Sequence, residues 1–225
     1  MSYTEMKQRC ACCGNVVDII KYYDSNGRPT NMDGKGSANP LSKTLRECPI
    51  CHYVNTDLEK KLSNINIVET DVYKKLFQYT DEQKADKQFE FIQAVNRCQV
   101  YHDLIDVSDP ERIHALLQIC WLYEDIGNTK KAIEYRKQAT NEYYKFFKKH
   151  NFRLSEVIIC IDCLRQLGWF REAKHVIKVV NKDYFIKRRY LYSYGEEYIL
   201  LLFEKQLIEA EDSGPHCETE INFLS

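Results

Sequence analysis

Two cysteine pairs near the amino end decide the fold: Cys10-Ala11-Cys12-Cys13-Gly14 and Cys48-Pro49-Ile50-Cys51-His52. Two residues between thiolates let the chain curl into a tight knuckle that presents both sulfurs to one ion, and two knuckles complete a tetrahedral set. Pro49 pre-sets the second turn, and Gly14 tolerates the positive φ that usually follows the first, whereas His52 takes the glycine's place in the second. The spacing predicts one structural Zn²⁺ held by Cys10, Cys13, Cys48 and Cys51.

Two alternatives stay open at this metal. Cys12 could replace one of the four ligands or remain a spare thiol beside them, and iron in a rubredoxin-like arrangement is a minor rival to zinc. A closed four-thiolate site has no open coordination position, so it is expected to stabilise the fold rather than to catalyse. Binding energies of roughly 10–16 kcal/mol for such sites would make residues 1–60 dependent on the ion.

The segment between the knuckles favours short strands. Residues 16–23 form a β-prone run, the polar stretch 24–39 contains three glycines, and residues 41–47 lead into the second knuckle. Together these features predict a zinc ribbon over residues 1–62 with a loop between its strands.

The remainder is predicted to be helical and to repeat itself. Asp109 and Pro110 start one helix as N-cap and first helical residue, and Gly127 ends it before a second helix over about 129–149. A helix through residues 157–164, a turn at Gly168 and a helix over about 169–181 follow the same order. Each turn glycine precedes an alanine, Ala132 or Ala173, by five residues, which lets two helices cross closely.

The predicted fold class is therefore mainly α, with a small N-terminal zinc ribbon followed by tetratricopeptide-like antiparallel helix pairs. The helical domain is predicted over residues 63–211, with further helices over 71–79, 84–104 and 187–211, and residues 212–225 as an acidic, flexible tail. The ribbon and the helices are expected to have separate hydrophobic cores.

Composition limits the possible functions. The chain has 225 residues with 32 Lys+Arg against 33 Asp+Glu, and its net charge of −1 argues against a protein that coats nucleic acid with its whole surface. No run approaches the ~20 apolar residues of a membrane helix, and the start MSYTEMKQRC has no apolar core typical of a signal peptide. These features predict a cytoplasmic protein that does not enter a membrane.

No arrangement of residues indicates an active site. Cys160 and Cys163 lie mid-helix and, like Cys98 and Cys120, are interpreted as buried helix residues. The adjacent pairs His102-Asp103 and Glu124-Asp125 are not expected to converge, because neighbouring helical residues point about 100° apart.

Lys187, Arg188 and Arg189, which precede several tyrosines, are candidate nucleic-acid contacts. The favoured interpretation of this basic stretch is a solvated helix face.

Three segments together resemble a known family. They are the first knuckle with Arg28-Pro29 in its loop, the segment 46–53 around the second knuckle, and the helical stretch 115–139. They resemble an uncharacterised bacterial family, a domain of unknown function, that combines an N-terminal zinc ribbon with a tetratricopeptide-like helical region, and the resemblance covers roughly residues 8–180. It implies the fold and the metal but no activity. Family members often carry Asp-Leu-Asp-x-Arg-Pro in the ribbon loop, where this chain has Ser25-Asn26-Gly27 before Arg28, so any function of those acids would be missing here.

The functional prediction is a non-catalytic, zinc-binding interaction or adaptor protein whose helical array binds a peptide or protein partner. The alternative is a nucleic-acid-binding accessory or regulatory protein that uses the ribbon and the basic, tyrosine-rich helix faces. A third hypothesis, a metal-dependent hydrolase or redox enzyme, requires an open coordination position or a reactive thiol. The oligomeric state stays open.

Overall fold

The computed structural model describes residues 2–23, 35, 41–106, 108–147, 153–180 and 195–216. The fold is mainly helical with short N-terminal antiparallel strands, which confirms the predicted fold class at this level. The chain divides into two compact units, one formed by residues 1–27 and 38–139 and the other by residues 28–37 and 140–225. The domain limits given above stay predictions.

The first unit begins with a β-hairpin. Strand β1 (Ser2–Arg9) pairs antiparallel with β2 (Val16–Tyr23), with Arg9 opposite Val16 and Ser2 opposite Tyr23. The predicted β-run corresponds to β2, whereas β1 was not predicted. Its sequence is polar, and it becomes a strand because the first knuckle reverses the chain and lays it beside a strongly β-prone segment.

The second knuckle connects another small sheet. Helix α1 (Leu41–Thr44) precedes β3 (Arg46–Glu47), which pairs antiparallel with β4 (Val54–Asn55). The loop after β4 is folded back, because the Tyr53 hydroxyl donates to the Lys60 carbonyl at 2.7 Å and Asn55 Nδ2 donates to the same oxygen at 2.9 Å.

The helices that follow are shorter than predicted. A 3₁₀ turn (Ile65–Glu69) leads into α2 (Asp71–Lys75), and α3 (Asp81–Ala85) is separate from α4 (Phe89–Leu104). Thr80 and Gln83 form a capping box that starts α3, and extended backbone at Asp86 ends it. Local capping therefore divides a segment whose helix-forming residues predicted one continuous helix.

Helices α5 (Glu111–Asp125) and α6 (Thr129–Phe147) follow the predicted signals, although α5 begins at Glu111, one residue after the predicted Pro110, and residues 148–149 of the second predicted helix lie outside the described residues. Pro110 already has helical backbone angles (φ −62°, ψ −23°), and Asp109 Oδ1 accepts the Glu111 amide at 2.9 Å, so the Asp109 carboxylate serves as the cap of this first turn. At the other end Gly127 has φ +74°, and the Asn128 amide donates to the Tyr123 carbonyl at 2.8 Å. This is a Schellman termination, which needs a left-handed residue at the glycine position.

The second unit repeats this turn. Its helices are α7 (Leu154–Gln166), α8 (Phe170–Val180) and α9 (Gly195–Glu209). Gly168 has φ +71°, and the Trp169 amide donates to the Leu164 carbonyl at 2.9 Å. Ala132 and Ala173, five residues after each glycine, are both buried. The predicted start of the last helix, residues 187–194, lies outside the described residues.

The expectation of separate cores is wrong. One buried cluster contains ribbon residues such as Val17 and Tyr53 together with helical residues such as Tyr101, Leu104 and Ile119. The amide and side chain of Asn64 also bond to carbonyls at the end of α4, including that of Leu104 at 3.1 Å from the amide. The hairpins are too small to bury their apolar faces alone, so they share the core of α4 and α5.

The second unit contains a fully buried ionic network. Arg165 of α7 donates from Nε to Glu204 of α9 at 3.1 Å and from Nη2 to Asp162, and all three side chains are completely buried. Its Nη1 donates to the carbonyls of Asp212 and Gly214 at 2.9 and 2.6 Å, which attaches the segment after α9.

Candidate metal centre

The two knuckles have the same backbone geometry. The Gly14 amide donates to the Cys10 carbonyl at 2.9 Å, and the His52 amide donates to the Cys48 carbonyl at 2.8 Å. Both closing residues are left-handed, with φ +74° at Gly14 and +61° at His52. The chain pairs with itself across each turn, because the Cys10 amide donates to the Asn15 carbonyl at 2.8 Å and the Cys48 amide donates to the Tyr53 carbonyl at 2.9 Å.

The four predicted ligands come together. Their sulfurs all lie within 4.8 Å of one another, with 3.6 Å between Cys10 Sγ and Cys51 Sγ and 3.8 Å between Cys13 Sγ and Cys48 Sγ. A tetrahedron with metal–sulfur bonds of 2.3 Å has edges of about 3.8 Å, whereas a disulfide would need about 2.05 Å. The residues present therefore fit one tetrahedrally coordinated ion.

Hydrogen bonds to the cysteine sulfurs favour their negatively charged thiolate form. Burial raises the pKa of Cys13, but hydrogen bonds from the Asn15 backbone and side chain and from Cys51 and Cys48 outweigh it and lower the value to about 7. Burial raises the pKa of Cys10 and of Cys51, although the Cys10 sulfur accepts the amides of Cys13 and Cys12 and the Cys51 sulfur accepts the amide of Tyr53. Several thiolates can coexist in so small a volume only if a cation balances them, which is what a bound divalent metal supplies.

His52 replaces glycine at the second knuckle without being isolated there. Its Nδ1 lies 2.8 Å from Glu47 Oε1, and its ring stacks on Phe77 with centroids 4.9 Å apart. The hydroxyl of Tyr73 donates to the His52 carbonyl at 2.7 Å. These contacts offset the cost of a left-handed residue with a Cβ and connect the knuckle to the helices of the same unit.

Cys12 lies beside the centre but outside the group of four. Its sulfur is not among those that approach within 4.8 Å, its side chain is half-buried, and burial raises its pKa. A hydrogen bond to the Cys51 side chain opposes that rise, so Cys12 is next to one of the four sulfurs, and its role as an alternative ligand or spare thiol stays a prediction.

Sequence reasoning missed the supporting residues around the metal cluster. Asn15 donates from Nδ2 to Cys13 Sγ at 3.3 Å, and buried Gln8 accepts from Arg46 at 3.1 Å while donating to Asp57 at 3.1 Å. Gln8 is buried opposite Val17, whereas residues 4–7 of β1 are exposed, so no alternation along this strand indicates it, and a polar residue at a core position carries little signal in the sequence.

The other predicted residues divide into three groups. Cys98, Cys120, Cys160 and Cys163 are buried in helices, as predicted, and burial raises the pKa of Cys98 to about 12. Lys187, Arg188 and Arg189 lie outside the described residues.

The expectation that His102 and Asp103 do not converge is wrong, because His102 Nδ1 lies 2.8 Å from Asp103 Oδ1. The angle between their Cβ directions is large, but rotation about the side-chain bonds brings the His102 imidazole and the Asp103 carboxylate together at the C-terminal end of α4.

Within the described part of the chain, no helix is long and apolar enough to span a membrane.

Comparison with other proteins places the chain in a family. Searches among curated proteins and among solved structures found no match. One family model fits residues 3–160, more than half of the chain, and includes both knuckles and α4–α6. This chain therefore belongs to DUF2225, a family described as an uncharacterized protein conserved in bacteria.

Proposed function

We propose that this protein is a non-catalytic zinc-binding interaction protein that acts in the cytoplasm. In this proposal one Zn²⁺ is held by the four knuckle cysteines and stabilises the first unit, while tetratricopeptide-like helix pairs bind a peptide or protein partner. Zinc is favoured over harder cations because thiolates are soft ligands, and over catalytic metals because four protein sulfurs close the coordination shell.

The observation that carries the binding role is an aromatic ladder formed by Phe91, Tyr123 and Tyr135. Phe91 of α4 meets Tyr123 of α5 edge to face at 5.2 Å, and Tyr123 stacks on Tyr135 of α6 at 5.7 Å. All three rings are only half-buried against the core of the first unit. Tyrosine and phenylalanine in this state present large, rigid contact area, which is why such residues are enriched at protein interfaces.

The helix pairs support the tetratricopeptide-like part of the proposal. The turns at Gly127 and Gly168 have the same hydrogen-bond pattern, and the same buried alanine follows each after five residues. A repeated helix–turn–helix unit is the element from which such arrays build extended binding grooves.

The experiment is an affinity purification with matched variants. Tyr135→Ala removes one end of the ladder, and Lys137→Ala removes an exposed residue on the opposite side of the same helix. A partner should be recovered with the wild type and with Lys137→Ala, and the purified partner should bind Tyr135→Ala at least about tenfold more weakly by calorimetry. Equal binding by both variants would count against the ladder, and recovery of nucleic acid without any protein would count against the whole proposal.

The nucleic-acid alternative stays a prediction, because its basic residues lie outside the described part of the chain. It is distinguished by retention on heparin that weakens steeply with salt and that is lost when Arg188 and Arg189 are replaced.

A further inference from the structure

A cluster of lysines in the second unit exceeds the acids around it. Helices α8 and α9 border an open cleft of about 280 Å³, and the charged residues that line it are Lys174, Lys178, Lys205 and Glu209. Lys205 and Glu209 pair with each other at 3.8 Å, one turn apart on α9. The four groups together carry a net charge of +2, which comes from the two lysines of α8.

The two lysines of α8 repel each other. Lys174 and Lys178 are both exposed and lie four residues apart, which places their Cβ atoms about 6 Å from each other on one face of the helix. Neither forms an ion pair with a carboxylate of the described residues. Like charges at this spacing destabilise a helix, and Lys205 adds a third positive charge from α9. Anionic groups bound across the cleft would offset this repulsion.

The uncharged surface of the cleft is shallow. Ile177 is 6% exposed and Ile208 is 0% exposed, so the apolar surface that a ligand can reach comes mainly from the methylene chains of the lysines. Beside the cleft, Leu202 is 42% exposed and precedes Lys205 by three residues, on the same side of α9. This is a positively charged surface beside an exposed leucine, and its cleft is smaller than the roughly 300–1,000 Å³ of enclosed small-molecule sites.

The residues of the wall favour a peptide over a nucleic-acid strand. Among the described residues that line the cleft there is no arginine and no aromatic ring, the side chains that nucleic-acid sites commonly use for phosphates and bases. Glu209 also lies in the wall and would repel a continuous polyanion. A peptide presents separate carboxylates beside apolar side chains, so it can pair with the lysines, avoid Glu209 and contact Leu202.

We propose that α8 and α9 bind an acidic, leucine-containing segment of a protein partner. Its carboxylates pair with Lys174, Lys178 and Lys205, and its apolar side chain contacts Leu202. This surface belongs to the second unit, whereas the aromatic ladder belongs to the first. The proposal therefore goes beyond the ladder, and either can fail without the other.

The test is nitrogen-15 NMR of the zinc-loaded full chain with two blocked synthetic peptides. The peptide AEELAEELAEEL presents glutamates and leucines along a helix, and AQQLAQQLAQQL replaces every glutamate by glutamine. The amide signals of α8 and α9 should move in a saturable way with the glutamate peptide. Its dissociation constant should be at least about tenfold lower than that of the glutamine peptide.

Matched variants connect the signal to the lysines. Lys174→Gln combined with Lys178→Gln should weaken binding of the glutamate peptide by at least about tenfold. Lys130→Gln combined with Lys137→Gln changes two exposed lysines of α6, in the first unit, and should leave binding unchanged although the net charge changes equally. Glu209→Gln should tighten binding, because it removes the acid of the wall and releases Lys205.

Several results would overturn the proposal: unmoved signals of α8 and α9, equal affinity for the two peptides, unchanged affinity in the folded double variant of Lys174 and Lys178, or tighter binding of oligothymidylate than of the glutamate peptide at these helices. If the double variant does not fold, the comparison between the two peptides decides alone. Tyr135→Ala should leave peptide binding at α8 and α9 unchanged, which separates this surface from the aromatic ladder.

Discussion

Replacing Glu204 by glutamine should make the protein's stability less sensitive to pH. Glu204 is completely buried, and its Oε2 accepts from Arg165 at 3.1 Å, while among the described residues its Oε1 has no hydrogen-bond partner. The buried network holds one cation and two carboxylates, because Asp162 shares Arg165. A proton on Glu204 makes this group of three electrically neutral, and burial costs far less for a neutral group than for a net charge.

The direction of the pKa follows from these surroundings. Burial raises the pKa of Glu204, the neighbouring Asp162 raises it further, and Arg165 only partly opposes them, which leaves a value of about 9 against an ordinary 4.5. Other ionisable groups of the network region are Asp212 and His216, whose side chains lie 3.1 Å apart, with Phe203 of α9 against the His216 ring.

The magnitude comes from the protons released on unfolding. Between about pH 4.5 and pH 9 the folded state keeps the Glu204 proton and the unfolded chain loses it, so the free energy of unfolding falls as pH rises. Each pH unit well inside this window contributes about 1.4 kcal/mol, which amounts to roughly 3 kcal/mol by pH 7. Glutamine cannot ionise, so Glu204→Gln should gain stability relative to the wild type by roughly 2–3 kcal/mol between pH 5 and pH 7.

The assay is chemical denaturation of both proteins at half-unit steps from pH 5 to pH 9, followed by hydrogen exchange of α7 and α9 to assign the change to the second unit. A constant offset from imperfect packing of the amide does not affect the slope, which is the quantity of interest. Glu209→Gln, on the same helix but exposed, measures the contribution of an ordinary surface carboxylate. A stability difference between Glu204→Gln and wild type that stays flat across this range, or that shrinks with rising pH, would refute the reasoning.

Three further predictions concern the turns and the metal. Cys48→Ser should reduce metal content, measured by elemental analysis, well below one equivalent and should lower helical circular dichroism as well, whereas Cys12→Ser should retain one equivalent. Gly168→Ala should cost about 1–2 kcal/mol in denaturant unfolding, because its φ of +71° strains any residue with a Cβ although no atom lies within 4 Å of the added carbon. Asp109→Ala should cost about 1 kcal/mol by the same measurement through loss of the α5 cap, and Asp109→Asn should restore most of it.

Each of these has a distinct contrary result. Full helical signal in metal-free Cys48→Ser would show that the shared core does not need the ion, and metal loss in Cys12→Ser would make that residue a ligand. An unchanged unfolding free energy in Gly168→Ala would mean that the turn relaxes freely, and equal losses in both Asp109 variants would place the effect outside capping.

The group of four cysteines and the helix turns could be predicted because chemistry fixes their spacing in the sequence. Two residues between thiolates are required by the knuckle, and a left-handed residue is required where a helix ends in a Schellman turn. Gly14, Gly127 and Gly168 therefore each predict a turn from the local sequence alone. His52 shows the limit of this rule, because its left-handed backbone is supported by contacts with Glu47, Phe77 and Tyr73 that lie up to 25 residues away.

Features that depend on tertiary partners were not predictable in the same way. Strand β1 owes its conformation to pairing with β2, and buried Gln8 within it is satisfied by Asp57, Leu58 and Arg46 from distant segments. The Arg165 network joins α7 to a segment almost 50 residues later, and no local periodicity indicates such a bond.

The shared core gives the metal an influence on the proposed binding surface that it does not touch. Cys10 and Cys48 are both proposed ligands and members of the buried cluster that includes Tyr101 and Ile119, and the rings of the aromatic ladder pack against that cluster. Four thiolates can come this close together only with a counter-cation. The binding free energy of the ion would therefore also stabilise the helices whose residues belong to the same buried cluster. Removal of the metal should therefore abolish partner binding at Tyr123 and Tyr135 although none of the sulfurs reaches them, whereas a ribbon with its own core would leave that surface intact.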